Sequence, residues 1–280
     1  MTRTVIITGG AGGMGLATAK ILGRDHRVVI TDVNRERLDA AVAELRDLDI
    51  DATGVVGDIT DRASVDGLFA EAEAGGHVRA VVHTAGVSPR MGSAEFIIRV
   101  NAVGTVNITE AYQGIAREGD ALVNVASIAG HMTSRFVLPI HTFKIALTDQ
   151  GKFERRFVAT TRMFPERLRP GAAYTMSKAF VIWYSQRMAA VFGAHGARVL
   201  SVSPGSFDTA MGRLEENSGA GKLVDFAALQ RFGRPEEVAE VLAFVAGEKP
   251  GYLTGTDILV DGGTKAGLDW RGMITMMRGA

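Results

Sequence analysis

The chain has 280 residues with 31 basic and 31 acidic side chains, so its formal net charge is zero, and 46% of its residues are hydrophobic. This balance leaves no electrostatic footprint for nucleic acid or an anionic membrane, and the hydrophobic content supports a sizeable core. The absence of cysteine excludes disulfide bonds, thiol catalysis and cysteine-based metal sites.

Short apolar runs alternate with amphipathic stretches along the whole chain. The predicted strands are 4–8, 27–31, 53–57, 79–84, 121–126, 198–203 and 257–260. The predicted helices are 13–23, 34–47, 62–74, 93–117, 173–194 and 236–247. This alternation predicts an α/β fold, a doubly wound parallel sheet of about seven strands joined by right-handed crossovers. No linker or repeat divides the chain, so we expect one domain over residues 1–280.

Glycines fill the turn between the first strand and the first helix. Residues 9–15 read Gly-Gly-Ala-Gly-Gly-Met-Gly. A strand, a tight glycine turn and a helix N-terminus form a phosphate site, because the backbone can approach a pyrophosphate and helix N–H groups point at it. The alternative is a tight turn without a ligand, which the flanking strand, the helix and the acid described next make less favoured.

The second strand ends in an acidic residue, Asp32, about 20 residues past the glycines. A carboxylate here can accept hydrogen bonds from the adenosine ribose hydroxyls of a dinucleotide. It also repels a 2′-phosphate, at a cost of roughly 4 kcal/mol for each unit charge at ~4 Å and an effective dielectric constant of ~20. The sequence therefore favours NAD over NADP, unless a cation such as Arg35 offsets the charge.

Small or polar residues follow six successive strands. They are the glycines after strand 1, Asp32 after strand 2, Asp58 and Ile59 after strand 3, His83 to Gly86 after strand 4, Ser127 after strand 5, and Ser203 to Gly205 after strand 6. Because the carboxyl ends of parallel strands share one edge of the sheet, these residues predict a ligand-binding cleft there.

Tyr174 and Lys178 are four residues apart on a predicted helix and share one face of it. A nearby ammonium favours the phenolate and lowers the tyrosine pKa from about 10. Such a tyrosine can exchange a proton with an alcohol or a carbonyl near neutral pH. The spacing alone is a weak signal, and a buried tyrosine with a satisfied hydroxyl is the alternative.

Taken together, these motifs resemble the short-chain dehydrogenase/reductase family over about residues 4–265. The residues that match its cofactor-binding motifs are Gly9, Gly13, Met14, Gly15, Asp32, Asp58, Ile59, Ala85, Gly86, Tyr174, Lys178, Pro204, Gly205 and Thr209. The residues that match its catalytic set are Asn101, Ser127, Tyr174 and Lys178. The chain departs from the family at His83 and Thr84, which replace the two asparagines of an Asn-Asn-Ala-Gly segment.

The resemblance implies a Rossmann-type fold, a bound NAD and a homo-oligomer, either dimer or tetramer. It implies that hydride passes between the nicotinamide and the carbon that bears the substrate oxygen. In this scheme Tyr174 exchanges the proton and Lys178 lowers the tyrosine pKa and holds the nicotinamide ribose. Ser127 would hydrogen-bond the substrate oxygen, and Asn101 would hold a water that relays protons past Lys178.

The segment before the catalytic helix departs from the family in length. Residues 128–173 separate Ser127 from Tyr174, 46 positions where the family has about a dozen. The spacings Phe136/Ile140/Phe143 and Phe153/Phe157 predict short amphipathic helices within an insertion at about 131–171. We expect this insertion to lie beside the cleft mouth as a substrate lid or an altered oligomer interface, with surface decoration as the alternative.

The segment from Gly86 to Asn101 is shorter than is usual for the family. A short segment here, combined with an insertion before the catalytic helix, resembles bacterial 3α-hydroxysteroid dehydrogenase/carbonyl reductase. In that subgroup the insertion blocks the usual dimer contact through the catalytic helices.

Apolar side chains suggest an apolar small-molecule substrate, such as a steroid, a terpenoid or a hydroxyacyl compound. They lie in the loop 206–230 and in the C-terminal tail 264–280: Phe207, Met211, Leu214, Leu223, Phe226, Trp270, Met273, Met276 and Met277. The predicted activity is an NAD(H)-dependent oxidoreductase that interconverts a secondary alcohol and a ketone.

Two other functions remain open. A nucleotide-sugar epimerase or dehydratase is disfavoured by the spacing of Gly9, Gly13 and Gly15 and by the lack of a large C-terminal substrate domain. A non-catalytic NAD-sensing scaffold is disfavoured by the intact Ser127, Tyr174 and Lys178.

Targeting segments and metal sites are not indicated. The first strand begins at about residue 4, which leaves no room for a signal peptide. No apolar run approaches the roughly 20 residues of a membrane span. Histidines without metal-ligand spacing are His26, His77, His83, His131, His141 and His195. We therefore expect a cytoplasmic protein with no metal, no nucleic-acid partner and no membrane partner.

Overall fold

The computed structural model describes residues 3–133, 136–215 and 221–268. Seven parallel strands form one sheet in the order β3-β2-β1-β4-β5-β6-β7. The strands are β1 (Thr4–Thr8), β2 (Arg27–Asp32), β3 (Ala52–Val56), β4 (Val78–His83), β5 (Ala121–Val125), β6 (Arg198–Pro204) and β7 (Asp257–Val260). The predicted doubly wound sheet is confirmed, and each predicted strand agrees with the structure to within one residue at either end.

Helices cover both faces of the sheet. They are α1 (Gly13–Leu22), α2 (Arg35–Arg46), α3 (Arg62–Ala74), α4 (Ala94–Ile98), α5 (Gly104–Gln113), α6 (Ile140–Ile145), α7 (Gln150–Thr161), α8 (Arg169–Gly193), α9 (Ala210–Glu215), α10 (Pro235–Ala246) and α11 (Thr264–Gly267). Side chains of β1 alternate between two cores: Val5 and Ile7 pack with α1, α2 and α10, and Ile6 packs with α3, α4, α5 and α8. Within the described ranges, no helix is both long and apolar enough to cross a bilayer.

The long helix predicted over 93–117 is interrupted in the structure. Its first part, α4, is followed by a π-helical turn, Arg99–Val103, and then by α5. Ile59 packs so closely here that a Cβ on Gly104 would lie 2.6 Å from its Cδ1. Single π-helical turns frequently occur at functional sites, and Asn101 lies in the middle of this one.

The insertion folds into α6 and α7, as its aromatic spacing predicts. Phe143, Phe153 and Phe157 are completely buried. The rings of Phe143 and Phe153 lie 5.3 and 4.7 Å from the ring of Phe180 on α8. Phe136 does not belong to this buried face, because α6 begins only at Ile140 and the Phe136 side chain is fully exposed.

Polar contacts also fasten α7 to the helices beside it. Arg99 Nε donates to Glu154 Oε1 at 2.8 Å, and Gln150 Nε2 donates to Asn107 Oδ1 at 2.6 Å. The insertion therefore covers the outer face of α4, α5 and α8, about two turns beyond Tyr174 along α8. The predicted tail residues Trp270, Met273, Met276 and Met277 lie outside the described residues.

Candidate active site

The glycine turn after β1 is too tight for larger residues. A Cβ on Gly15 would lie 2.4 Å from the Gly9 carbonyl oxygen. Gly9 and Gly13 adopt left-handed backbone angles, with φ of 64° and 50°. No side chain caps the N-terminus of α1 at Gly12. The first N–H groups of α1 are thus left free to bind an anion such as a pyrophosphate.

Charged residues flank this turn at the end of β2. Asp32 Oδ1 accepts a hydrogen bond from the Asn34 N–H at 3.1 Å. Arg35 lies 3.9 Å from Asp39 along α2, so its charge is engaged on that helix. The sequence reasoning missed Arg37, whose Nη2 lies 2.6 Å from the position that a Cβ on Gly12 would take. Its place in the first turn of α2, five residues after Asp32, is the available sequence signal.

The two residues predicted after β3 differ in their placement. Asp58 is exposed, and its Oδ1 accepts a hydrogen bond from the Thr60 N–H at 2.8 Å. The Ile59 side chain is buried against Gly104. Only Asp58 therefore presents its side chain near the cleft edge.

The catalytic candidates come together at the carboxyl ends of β4 and β5. Ser127 lies beside the Tyr174 hydroxyl, close enough for its side chain to oppose the rise of the tyrosine pKa. Lys178 follows one turn later, and its Nζ donates to the Val125 carbonyl at 3.0 Å and lies 6.0 Å from the Tyr174 ring centroid. A Cβ on Gly86 would lie 3.3 Å from this Nζ, so the segment after β4 passes directly beside the lysine.

Burial has the largest effect on the pKa values of Tyr174 and Lys178. Burial raises the pKa of Tyr174 above its usual value, the Ser127 side chain opposes that shift, and the Glu215 carboxylate adds to it. Burial lowers the pKa of Lys178 to about 8. The Tyr174 pKa is thus shifted in the opposite direction from the lowering expected from Lys178, whose ammonium donates to the Val125 carbonyl.

The Asn101 side chain clamps the segment after β4. Its Oδ1 accepts from the Val87 N–H at 2.9 Å, and its Nδ2 donates to the Val87 carbonyl at 3.0 Å. Nδ2 also lies 3.3 Å from Ser177 Oγ on the catalytic helix. Asn101 thus connects the π-helical turn to two parts of the site.

The loop after β6 returns to the glycine turn. Pro204 ends β6 and Gly205 packs against Asp261, where a Cβ would lie 2.7 Å from the Asp261 Cα. A Cβ on Gly13 would lie 3.3 Å from Thr209 Cγ2, so Thr209 stands over the glycine turn. Phe207, predicted as a wall for substrate, is instead buried against Gly233.

A contact across the cleft was not expected from the sequence. Arg90 Nη1 donates to the Leu214 carbonyl at 2.9 Å, and the Arg90 N–H donates to Glu215 Oε1 at 3.2 Å. These bonds hold α9 against the segment after β4, beside Tyr174. Among the described residues, no group of three histidine, aspartate or glutamate side chains could hold a metal ion.

Family models match most of the chain. A model described as short chain dehydrogenase matches residues 3–149, and one described as Enoyl-(Acyl carrier protein) reductase matches residues 154–265. The boundary between the two matches falls within the insertion.

Known proteins of similar length resemble the chain throughout. A short-chain dehydrogenase/reductase, bsc3, from Alternaria brassicicola is 29% identical, over 95% of this chain and 97% of that protein. The 3-oxoacyl-[acyl-carrier-protein] reductase FabG of Thermotoga maritima is 27% identical, over 93% and 97%. The crystal structure of a short chain dehydrogenase from Burkholderia cenocepacia in complex with NADP has a TM-score of 0.75 and 26% identity, over 94% and 98% of the two chains.

Proposed function

Because the chain belongs to the short-chain dehydrogenase/reductase family, we propose that it is an NAD(H)-dependent enzyme that interconverts a secondary alcohol and a ketone. The observation that carries this proposal is that Ser127 lies beside the Tyr174 hydroxyl, one helical turn from the buried Lys178. The pair faces the same sheet edge as the glycine turn, so a proton-transfer group and a dinucleotide site share one cleft.

The residues around the glycine turn fit a nicotinamide dinucleotide. The uncapped N-terminus of α1 suits the pyrophosphate, and Asp32 suits the adenosine ribose hydroxyls. Gly86 leaves the space beside Lys178 that a nicotinamide ribose needs. When bound, NAD supplies a positively charged ring that accepts hydride.

Ser127, Tyr174 and Lys178 have different roles in the proposed reaction. In the oxidation direction, Ser127 holds the alcohol oxygen and Tyr174 removes its proton as the C–H bond breaks and hydride leaves the same carbon. The buried Tyr174 holds its proton tightly, so the phenolate needs positive charge nearby. Lys178, with a pKa of about 8, is mostly protonated at pH 7 and supplies one such charge.

Asp32 favours NAD over NADP. Its carboxylate stands where a 2′-phosphate would meet a like charge, and Arg35 is engaged by Asp39. Arg37 is the cation near enough to reduce this preference. The similar short chain dehydrogenase from Burkholderia cenocepacia was crystallised with NADP. The cofactor preference of this chain is therefore to be measured directly.

The substrate that we propose is an apolar small molecule such as a steroid, a terpenoid or a hydroxyacyl compound. Met211 and Leu214 of α9 provide apolar side chains next to the Tyr174 cleft. We also propose a cytoplasmic homo-oligomer, a dimer or a tetramer. The face of α8 that α7 covers would take no part in its interface.

The test is NADH formation by the purified protein with a panel of secondary alcohols, monitored by absorbance. We expect turnover with NAD that Ser127→Ala reduces by roughly a hundredfold or more, as for loss of an oxyanion-stabilising donor. A protein that binds NAD but turns over none of the alcohols or matching ketones would favour the scaffold. Activity only on nucleotide sugars would favour the epimerase.

A further inference from the structure

His83 lies at the end of β4, completely enclosed, at a position where the resemblance predicts asparagine. Its Nδ1 is 2.7 Å from Thr8 Oγ1, and its Nε2 is 3.2 Å from Thr105 Oγ1. Only 2% of the residue is exposed. The ring therefore bridges the strand before the glycine turn and the first turn of α5.

The partners determine which ring nitrogen carries the proton. Thr105 Oγ1 lies 2.8 Å from the Asn101 carbonyl oxygen, which can only accept, so the Thr105 hydroxyl must donate to it. Thr105 can then only accept from His83, and this requires a proton on Nε2. Nδ1 of the neutral ring is left to accept from the Thr8 hydroxyl.

The neutral state is enforced by the surroundings. Burial and the nearby Lys178 ammonium lower the pKa of His83 to about 3. A protonated ring would have to donate from Nδ1 to Thr8 Oγ1, and the Thr8 hydroxyl proton would then lose Nδ1 as its acceptor. The tautomer with the proton on Nε2 is therefore the single form compatible with the contacts.

These bonds join into one chain with a single direction. The Ala85 N–H donates to Thr8 Oγ1 at 3.2 Å, Thr8 donates to His83, His83 donates to Thr105, and Thr105 donates to the Asn101 carbonyl. Hydrogen bonds in such a chain polarise one another. The chain begins at the segment beside the glycine turn and ends on the π-helical turn whose Asn101 side chain clamps Val87.

We propose that His83 is a positioning residue, which acts through Thr105 to hold Asn101 and its π-helical turn in register with the proton-transfer site. This inference rests on the proposed oxidoreductase function. His83 itself touches neither Tyr174 nor Ser127 and takes no part in proton transfer. Its effect is geometric, through the position of Asn101 and the Val87 segment beside Lys178.

Two substitutions of His83 each remove one of its two hydrogen bonds and keep the other. His83→Gln keeps an amide donor that can reach Thr105 and loses the acceptor for Thr8. His83→Asn keeps a short acceptor for Thr8 and loses the donor for Thr105. Each removes one hydrogen bond from a buried hydroxyl that keeps its other contact, so both variants carry a stability cost of the same order. A merely structural role for His83 would affect both variants alike.

Two readouts decide the inference. We expect kcat for alcohol oxidation to fall about tenfold or more in His83→Asn, as for a small misplacement of a reacting group, and to stay within about twofold in His83→Gln. In the protein without cofactor, amide hydrogen exchange at Val87, whose N–H is bound by Asn101, should accelerate in His83→Asn and not in His83→Gln. Tyr112→Phe, which loses a similarly buried hydrogen bond to the Val78 carbonyl, is the control and should leave both readouts unchanged.

The inference is overturned if the Gln and Asn variants show the same kcat and the same Val87 exchange, or if their order is reversed. A wild-type protein without turnover would instead overturn the proposed function. The exchange experiment would still show whether His83 positions Asn101.

Discussion

Lys178 is a cation that the fold keeps buried at a cost. Its folded-state pKa of about 8 lies below its usual 10.5, so the unfolded chain binds the extra proton more readily between these values. Stability contributed at this site is therefore lowest below pH 8 and rises with pH from about 8 towards 10.5. Burial of this ammonium therefore costs stability at neutral pH.

This argument predicts that Lys178→Met stabilises the protein while it removes activity. At pH 7 we expect the free energy of unfolding to rise by about 1 to 3 kcal/mol. This is the free energy that corresponds to the lowered pKa of Lys178, minus the contribution of the lost hydrogen bond to the Val125 carbonyl. The gain should shrink as the pH is raised from 8 to 10, because wild-type Lys178 then loses its proton. Urea unfolding at pH 7 and pH 10 measures this, and a variant less stable than wild type at pH 7 would contradict it.

Asp32 and Arg37 place opposite charges beside the glycine turn. We expect the wild type to bind NAD more tightly than NADP, and Asp32→Asn to reduce this preference by at least tenfold, since it removes a repulsion of up to roughly 4 kcal/mol. In the Asp32→Asn background, Arg37→Ala should weaken NADP binding and leave NAD binding nearly unchanged.

The control for Arg37 is Arg35→Ala, because Arg35 is on the same helix and engaged by Asp39. Calorimetric titration with NAD and NADP measures these affinities without a substrate. Tighter binding of NADP than NAD by the wild-type protein would refute the role given to Asp32.

At the scale of elements, the insertion is part of the core rather than an appendage. Its aromatic rings fill the outer side of α8, and the Arg99–Glu154 pair ties it to the π-helical turn. The rings contact α8 at Phe180, about two turns beyond Tyr174.

Two phenylalanines of the insertion test this packing directly. Phe157→Ala should lower the free energy of unfolding by about 3 to 5 kcal/mol, because the side chain is completely buried among aromatic rings. Phe136→Ala, at a fully exposed position, should change it by less than about 0.5 kcal/mol. Urea unfolding of both variants is the measurement, and equal effects would contradict the described packing.

At the scale of the whole molecule, the parts that depend on local pattern were predictable. The strands follow from short β-branched runs, and their parallel direction follows from strand–helix alternation. Asn101, Ser127, Tyr174 and Lys178 follow from the resemblance to the family's motifs, and the structure gathers them at one edge of the sheet.

What the sequence could not predict depends on contacts between distant segments. The raised pKa of Tyr174 comes from burial by several elements. The bridge made by His83 joins residues 75 and 22 positions away from it. The Arg90 contact with α9 spans 124 positions, and no periodicity records it. The π-helical turn likewise lies within a stretch that reads as one continuous helix.

The most direct test of the account is the activity of Tyr174→Phe. This variant keeps the ring and removes the hydroxyl to which we assign proton exchange with the substrate. With the best secondary alcohol of the panel and saturating NAD, kcat should fall by about a thousandfold or more, while the Kd for NAD changes little. Tyr184→Phe, ten residues further along α8 and more deeply buried than Tyr174, should retain wild-type kcat. If Tyr174→Phe retains wild-type activity, the proton-transfer role assigned to Tyr174 is wrong.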